Sequence, residues 1–360
     1  MDDMEKCLNS FDPAVRKAAL EKARSIVFNL HCHSFFSYNG YGYSPTKLAV
    51  LAKQSAWRAV GMVDFDVLDG VDEFLSATKA LGVPAVAGME TRVFIPELAE
   101  EEINSPGEPG IAYHLGYGFK STKVPASAAA FAAELREKAG NRTRTIIQLV
   151  NGLLSEIALD FDAVARSFTP AGNVTERHVC QAYRAAAEKK FPSAADREAY
   201  WKAKIGVFDA DPVKMEAAIR SKTMKRGGIG YMQPKPESFP TLADQNKFIE
   251  ACGAVPTVAW LNGLSKGESD PGRLLDLHMK YGARAITIIP DRNWNVADEA
   301  KRKTLTDAMD RFIEAANERK LPILAGTEMN APGQKLADDF TVPALAKHLN
   351  TFLAGADALI

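Results

Sequence analysis

The sequence has few cysteines, no long hydrophobic run and almost no net charge. Its four cysteines, Cys7, Cys32, Cys180 and Cys252, lie far apart and form no Cys-x-x-Cys pair. This spacing suggests neither a zinc ribbon nor a disulfide framework. No apolar stretch approaches the roughly 20 residues that span a bilayer, and residues 1–23 lack the apolar core of a signal peptide. We therefore expect a cytoplasmic protein with no membrane partner.

The charge balance bears on the choice of partners. Lysine and arginine number 44 and aspartate and glutamate 45, which gives a net charge of −1. A chain without an excess of positive charge has no overall electrostatic footprint for nucleic acid. We expect a small-molecule ligand and no nucleic-acid partner. The composition leaves open whether the protein forms a homo-oligomer.

Short apolar or β-branched runs alternate with helix-like segments along the chain. The predicted strands cover residues 25–31, 59–65, 83–90, 111–116, 256–260, 284–289 and 321–326. This alternation is typical of a parallel sheet wrapped by helices. With 46% apolar residues in 360, the chain is long enough for one large α/β barrel. We predict an N-terminal helical extension over residues 1–24, a barrel over 25–360, and a mainly helical insertion at about 190–236, where strand signals are lacking.

The segment His31-Cys32-His33 closes the first predicted strand. Side chains two residues apart on a strand share a face, so both imidazoles point the same way. They stand at the carboxyl end of the strand, where a parallel α/β fold carries its chemistry. Two such imidazoles can hold one metal ion, although a strand can also carry two histidines for hydrogen bonding alone.

Acidic and imidazole residues recur at or near the ends of the later strands. Asp64 and Asp66 follow the second strand, Glu90 ends the third, His114 lies on the fourth and Glu328 follows the last. Side chains at the same end of successive parallel strands converge on one bowl. Mixed nitrogen and oxygen ligands suit zinc, manganese and iron alike. The pattern predicts a site for one or two divalent ions.

In this order the motifs resemble those of the PHP family, the polymerase and histidinol phosphatase domains. The family's "T-D-H-D-x-L-D-G" segment corresponds to residues 63–70, and its "H-L-x-Y-G" segment begins at His114. Its closing "G-S-D-x-H" corresponds to residues 326–330. The resemblance covers most of the chain and implies an irregular (β/α)7 TIM-like barrel with up to three metal ions.

The resemblance also implies a ligand set. A first metal would be held by His31, His33, Glu90 and Glu328, with glutamate in place of the family's final aspartate. A second would share Glu90 and take His114.

Other ligand positions of the family are changed. The histidine of its "A-H-P" motif corresponds to Trp260, and the third metal's ligands correspond to Asn39, Phe65 and Asn330. None of these side chains is a good ligand. We therefore expect one strong metal site and, at most, a weaker second one that could also use His178.

Three residues are candidates for catalysis. Asp64 or Asp66 could take a proton, orient a metal-binding histidine or cap a helix. His178 follows Arg177 at a predicted helix start, and related phosphoesterases bind phosphate at this motif, although a plain helix-start histidine stays open. Further residues lie where an anionic substrate could meet them. These candidate substrate contacts are Arg177, Lys225, Arg226, Arg292, Asn330, Lys335 and, as an aromatic wall, Trp260.

These residues predict a metal-dependent hydrolase, first of all a phosphoesterase acting on a small phosphorylated metabolite. A second hypothesis keeps the metal but places a carboxylated, aromatic substrate against Trp260 for hydrolysis or lysis. A third makes the chain a non-catalytic metal-binding or ligand-binding protein. Four converging ligands argue against the third, because a protein that had lost its catalytic activity would have little reason to retain them.

Overall fold

The computed structural model describes residues 26–360, and its seven strands form one sheet whose order follows the chain. The strands are β1 (Asn29–Cys32), β2 (Val60–Phe65), β3 (Ala85–Phe94), β4 (Ile111–Tyr117), β5 (Val255–Trp260), β6 (Ala285–Ile288) and β7 (Ile323–Ala325). A backbone bridge between Cys32 and Glu328 joins β1 to the segment after β7, so the sheet is a nearly closed barrel. The predicted α/β barrel is confirmed, and each predicted strand overlaps an observed one.

One strand runs against the others. β4 is antiparallel to both β3 and β5, whereas the remaining neighbours pair in parallel. The connection between β3 and β4 contains only the 3-10 helix Pro96–Leu98. A parallel return usually needs an α-helical crossover, and without one the chain turns back antiparallel. This reversal makes the barrel irregular, and the register of β4 with β3 decides which way its side chains point.

Helices cover the outside of the barrel and fill the long connection between β4 and β5. In the described residues the α-helices are α1 (Pro45–Gln54), α2 (Val71–Leu81), α3 (Ala126–Leu153), α4 (Phe161–Phe168), α5 (Glu176–Lys190), α6 (Ala194–Ile205), α7 (Pro212–Thr223), α8 (Leu242–Ala251), α9 (Pro271–Lys280), α10 (Asp291–Trp294), α11 (Glu299–Glu318), α12 (Pro343–Ala346) and α13 (Leu349–Ala358). Two further 3-10 helices span Ser155–Ile157 and Pro236–Ser238. None of the helices within residues 26–360 combines the length and the apolar character needed to cross a bilayer.

The first crossover helix shows how the local sequence sets an element. The Ser44 hydroxyl accepts a hydrogen bond from the Lys47 amide at 3.1 Å, and Pro45 occupies the first turn. Serine before a proline is a strong start signal, because the hydroxyl satisfies a free amide and proline has none to satisfy. Leu48, Ala49 and Ala52 then form the buried face of α1.

The helical insertion, residues 126–223, comprises α3 to α7 and has its own apolar core. Val150, Tyr183, Trp201 and Ile219 are among its buried side chains. The insertion begins well before the predicted boundary at 190, because the alanine-rich run at 126 belongs to it and carries no signal for a separate unit. The predicted N-terminal extension, residues 1–24, lies outside the described residues.

A buried carboxyl group lies in the segment after β7. Asp338 is 3% exposed, one of its oxygens accepts a hydrogen bond from Trp294 Nε1 at 3.2 Å, and the other has no hydrogen-bond partner among the described residues. Burial, with a smaller contribution from nearby Asp291, raises the pKa of Asp338 to about 8. The group is therefore protonated in the folded protein at neutral pH.

This pKa predicts how stability depends on pH. An unfolded aspartate has a pKa of about 4, so the unfolded state loses this proton first and the contribution to stability falls between about pH 4 and pH 8. We expect Asp338→Asn to stabilise the fold by on the order of 3 kcal/mol at pH 8 and little at pH 4. Urea unfolding of both proteins across this range tests the prediction. Parallel stability curves would contradict it.

Candidate active site

Three of the predicted ligands meet at the carboxyl end of the barrel strands. His31 on β1, His33 just after it and Glu90 on β3 are all buried. The Nε2 atoms of His31 and His33 lie 3.1 Å and 3.0 Å from the same Glu90 Oε2 atom. One ligand atom from each residue can be chosen so that all three lie within 4.8 Å of one another. The alternation of side chains along β1 brings both imidazoles to this point, as the sequence predicts.

Hydroxyl groups behind the two histidines hold the rings in place. Thr287 Oγ1 lies 3.3 Å from His31 Nδ1, and Ser37 Oγ lies 3.2 Å from His33 Nδ1. Ser37 in turn donates to Asp64 at 2.7 Å. Hydrogen bonds to the Nδ1 atoms direct both Nε2 atoms toward Glu90, which is the arrangement found behind metal-binding histidines.

The donor set fits a divalent metal ion. Two imidazole nitrogens and one carboxylate oxygen are ligands that zinc, manganese and iron accept. His33 Nε2 is buried and, despite its closeness to Glu90, forms no hydrogen bond within the described residues. A buried nitrogen without a hydrogen bond is costly unless another partner satisfies it. Although burial opposes ionisation, the His31 and His33 rings lower the pKa of Glu90 to about 2, so Glu90 is an anion at neutral pH.

Glu328 does not join this group, contrary to the fourth-ligand prediction. Its backbone is next to the site, since its carbonyl accepts a hydrogen bond from the His33 amide at 2.8 Å. Its carboxylate instead accepts hydrogen bonds from Arg292 at 2.6 Å and Gln334 at 3.2 Å. Glutamate is one methylene longer than the aspartate of the family pattern, and a guanidinium stands within its reach. Glu328 therefore lines the cavity, and its carboxylate forms an ion pair with Arg292.

His114 is also absent from the group, and the pairing register of β4 with β3 explains why. Glu90 pairs with Leu115 across the antiparallel ladder, so Leu115 shares the face of Glu90 and His114 takes the opposite one. The His114 ring stacks on His278 of α9 at 5.5 Å, and its Nε2 lies 2.6 Å from Asn246 Oδ1 of α8. Burial lowers the pKa of His114 to about 4, so it is a neutral core histidine. The prediction of His114 as a metal ligand is corrected accordingly.

Trp260 lies in the core and not on a pocket wall. Its indole stacks on Phe312 of α11 with ring centroids 4.6 Å apart, and it is fully buried between sheet and helix. The next two residues, Leu261 and Asn262, line the cavity instead. The prediction of an aromatic wall at Trp260 is therefore wrong, because the side chain of the last β5 residue faces outward.

His178 caps a helix. The Thr175 amide donates to His178 Nδ1 at 3.1 Å, and the Thr175 hydroxyl lies 3.1 Å from the same nitrogen, which forms a capping box at the start of α5. Burial lowers the pKa of His178 to about 4. The ring packs edge-on against Tyr38 and does not line the cavity, so the catalytic prediction for His178 gives way to a structural role.

The two candidate aspartates lie in different places. Asp64 is buried behind His33 and accepts hydrogen bonds from the Ser34 amide, the Ser34 hydroxyl and Ser37. Asp66 lines the cavity, where Arg142 lies 3.3 Å from its carboxylate and Thr91 donates a hydrogen bond. Asp66 also has a φ of 60°, a backbone strain that turns the chain at the end of β2. Of the pair, only Asp66 can meet a bound molecule.

A cavity of about 370 Å³ opens beside the His31, His33 and Glu90 group, and Glu90 forms part of its wall. Phe65 also lines it and stacks on the His33 ring at 4.2 Å. The cavity is rich in cations, which are Arg92, Arg142, Arg177, Arg220, Lys225 and Arg292. The five guanidinium groups among them stay protonated at neutral pH.

Four of the predicted substrate contacts line this cavity and three do not. Arg177, Lys225, Arg292 and Asn330 face it, together with Gln334, which the sequence did not single out. The exceptions, besides Trp260, are Arg226, which is exposed, and Lys335, whose ammonium lies 4.9 Å from the Trp294 ring. The sequence also did not single out Arg92, Arg142 and Arg220. They lie on β3, α3 and α7. No local sequence pattern indicates that these arginines would reach the cavity.

Comparisons with known proteins identify the fold. No protein-family model matches the sequence, and no curated protein matches it. The structure of an amidohydrolase from Chromobacterium violaceum, which contains sulfate and no metal, is similar with a TM-score of 0.57 and 20% identity over 92% of this chain and 99% of that one. A protein assigned as a metal-dependent phosphoesterase from Bifidobacterium adolescentis has a TM-score of 0.54 and 17% identity over 90% and 96%. At these identities the likeness establishes a shared barrel fold.

Proposed function

We propose that this chain is a metal-dependent hydrolase, and specifically a phosphoesterase that acts on a small phosphorylated metabolite. The observation that carries the proposal is the placement of the His31, His33 and Glu90 group beside a cavity lined by six cationic side chains. Metal ligands alone are common to many hydrolases. Guanidinium groups around them favour an anionic substrate, because they bind phosphate oxygens through charge-assisted, often paired hydrogen bonds.

The charge of the cavity supports a phosphate ester. Its six cations face four carboxylates, those of Asp66, Glu90, Glu176 and Glu328. One carboxylate outside this lining, Glu108, pairs with Arg92, and a bound divalent ion would add two positive charges. The cavity therefore carries an excess of positive charge, which favours a phosphate monoester, with about two negative charges near neutral pH. Arg292 is the cation associated with the metal-ligand group, because its charged neighbours include Glu328 and Glu90.

The division of labour follows from these positions. A divalent metal held by His31, His33 and Glu90 would polarise the phosphoryl group and lower the pKa of a water molecule toward neutrality. Arg292 is placed to balance negative charge on the phosphoryl oxygens. Asp66 is the aspartate in the cavity that can take a proton from the attacking water. Asp64 and Ser37 keep the His33 ring oriented.

The position of Trp260 weakens the alternative of an aromatic carboxylate substrate, because the indole packs on Phe312 and is not available for stacking. The third hypothesis, a non-catalytic binding protein, has less support than catalysis, since a pure binder does not need a carboxylate such as Asp66 beside buried metal ligands. Both alternatives become outcomes of the same experiment.

The test combines elemental analysis with a substrate panel. The purified protein, supplied in turn with zinc, manganese or ferrous iron, is assayed on phosphate monoesters, phosphodiesters, carboxylate esters and lactones. We expect about one tightly bound ion per chain and phosphate release from at least one class of phosphate ester. Turnover of carboxylate esters or lactones alone would overturn the phosphoesterase proposal. Tight metal binding without turnover of any class would favour the non-catalytic hypothesis.

A further inference from the structure

The cavity has two walls with different origins. One wall belongs to the barrel and carries Glu90, Arg292 and Glu328. The other, which we name the insertion wall, consists of Arg142, Glu176, Arg177, Arg220 and Lys225. The first four lie on α3, α5 and α7, and Lys225 lies two residues after the end of α7. Arg292 pairs with Glu328 of the barrel wall, whereas Arg142, Arg220 and Lys225 pair with neither Glu90 nor Glu328. The insertion wall therefore needs an explanation of its own.

Positive charge on the insertion wall is only partly balanced. Glu176 accepts hydrogen bonds from both Arg220 at 2.8 Å and Lys225 at 2.7 Å, so one carboxylate serves two cations. Arg142 lies 3.3 Å from Asp66, the one carboxylate it reaches.

Arg92, on the adjoining part of β3, pairs with Glu108 at 2.7 Å. The Arg177 guanidinium forms no ion pair and no hydrogen bond within the part of the chain that the structure describes. Five cations thus share three carboxylates. Like charges held together in a partly buried cavity repel one another, and an anion relieves that repulsion.

The titration behaviour of the wall agrees with this imbalance. Burial, followed by the charge of Arg220, lowers the pKa of Arg177. Burial also lowers the pKa of Lys225, although Glu176 opposes the shift. These are the directions expected for cations that lack enough negative charge around them.

The two walls carry different ion pairs. Arg292 of the barrel wall pairs with Glu328 at 2.6 Å. Arg220 and Lys225 of the insertion wall pair with Glu176 instead. The cavity therefore presents cations on two walls, which can bind two anionic groups of one molecule.

The wall is also rigid before any ligand arrives. An ion pair of 2.7 Å between Arg184 and Glu216 joins α5 to α7 behind it, in addition to the pair of Glu176 with Arg220. Tyr183 and Ile219 of the same helices are fully buried in the core of the helical insertion. The helix positions that carry Arg177 and Arg220 are therefore fixed before an anion binds, which lowers the ordering cost of binding.

We infer that the insertion wall is a second anion subsite, which binds a carboxylate or phosphate group of the substrate at a distance from the bond that is cleaved. Arg177 anchors that group because its guanidinium has no ion pair or hydrogen bond among the described residues, and Lys225 and Arg142 line the same cavity. The substrate is then a phosphate ester with an additional anionic end. The inference rests on the proposed function for the identity of the first subsite.

Linear phosphate esters of two to six carbons test the subsite, each made with a terminal hydroxyl, carboxylate or phosphate. We expect a terminal anion to raise kcat/KM about 10-fold or more at one chain length, mainly through KM, since a charge-assisted hydrogen bond has that effect. In Arg177→Ala this selectivity over the hydroxyl-terminated ester is lost. Lys222 is an exposed residue of α7 outside the cavity. Lys222→Ala should therefore keep the selectivity of the parent for the anionic end. The terminal anion that gives the higher kcat/KM, carboxylate or phosphate, identifies the group that the subsite binds.

Equal rates for all three ends at every length, or selectivity retained in both Arg177→Ala and Arg177→Gln, would overturn the second subsite while the proposed phosphoesterase activity stands. A binding experiment separates the opposite case. Calorimetry with propane-1,3-diphosphonate and propylphosphonate is done on Glu90→Gln, where the metal ligands are impaired. If no ester is hydrolysed by the parent but the diphosphonate binds more tightly and Arg177→Ala removes the difference, the second subsite is supported and the proposed function fails.

Discussion

Glu90→Gln is expected to remove the bound metal and to lower kcat/KM for a phosphate ester by roughly 1,000-fold or more. Within residues 26–360, Glu90 is the residue whose carboxylate oxygen lies close to the Nε2 atoms of both His31 and His33. Glutamine keeps the shape of the side chain but not its charge, so the two imidazoles lose their anionic partner. Metal content by elemental analysis and activity on the same ester are measured side by side.

Glu134→Gln is the matched control, because Glu134 is exposed on α3 and pairs only with Lys138 at the surface. Surface pairs of this kind contribute little, so both metal content and activity should match those of the parent. His33→Ala should give the same loss of metal as Glu90→Gln. A Glu90→Gln protein with the metal content of the parent would show that the ion is bound elsewhere.

The barrel and the heart of the site follow from local sequence patterns. Each strand is a short apolar run, and the spacing of His31 and His33 needs only the two-residue repeat of a strand to place both rings on one face. Glu90 is found in the same way, at the end of the third run. None of these inferences depends on how distant segments are arranged.

What the sequence did not reveal is non-local. His114 has the right residue type and the right order in the chain, but the register of β4 against β3 places it on the outside of the barrel. A shift of one residue in that register would place it on the inner face, and the sequence of β4 alone does not fix the register. Glu328 is diverted by Arg292, a residue 36 positions away in the chain. The arginines of the insertion wall reach the cavity only because a separate helical core packs over the barrel mouth, and no short motif encodes that packing.

Asp66→Asn is expected to lower kcat by about 100-fold to 10,000-fold and to leave the metal content unchanged, since loss of a positioned proton acceptor has effects of this size. Its carboxylate lines the cavity, and within the described residues it forms no hydrogen bond with the three metal ligands.

Asp64→Asn provides the contrast, because Asp64 accepts a hydrogen bond from Ser37, and Ser37 contacts the His33 ring. Weakening a partner behind a metal-binding histidine costs about 10-fold to 100-fold in metal affinity. Metal dissociation constants and kcat at saturating metal, measured for both variants, separate the two roles. Asp64→Asn could instead keep the metal affinity of the parent and lose as much kcat as Asp66→Asn at saturating metal. That result would contradict both assignments, Asp66 as the proton acceptor and Asp64 as the residue that orients His33.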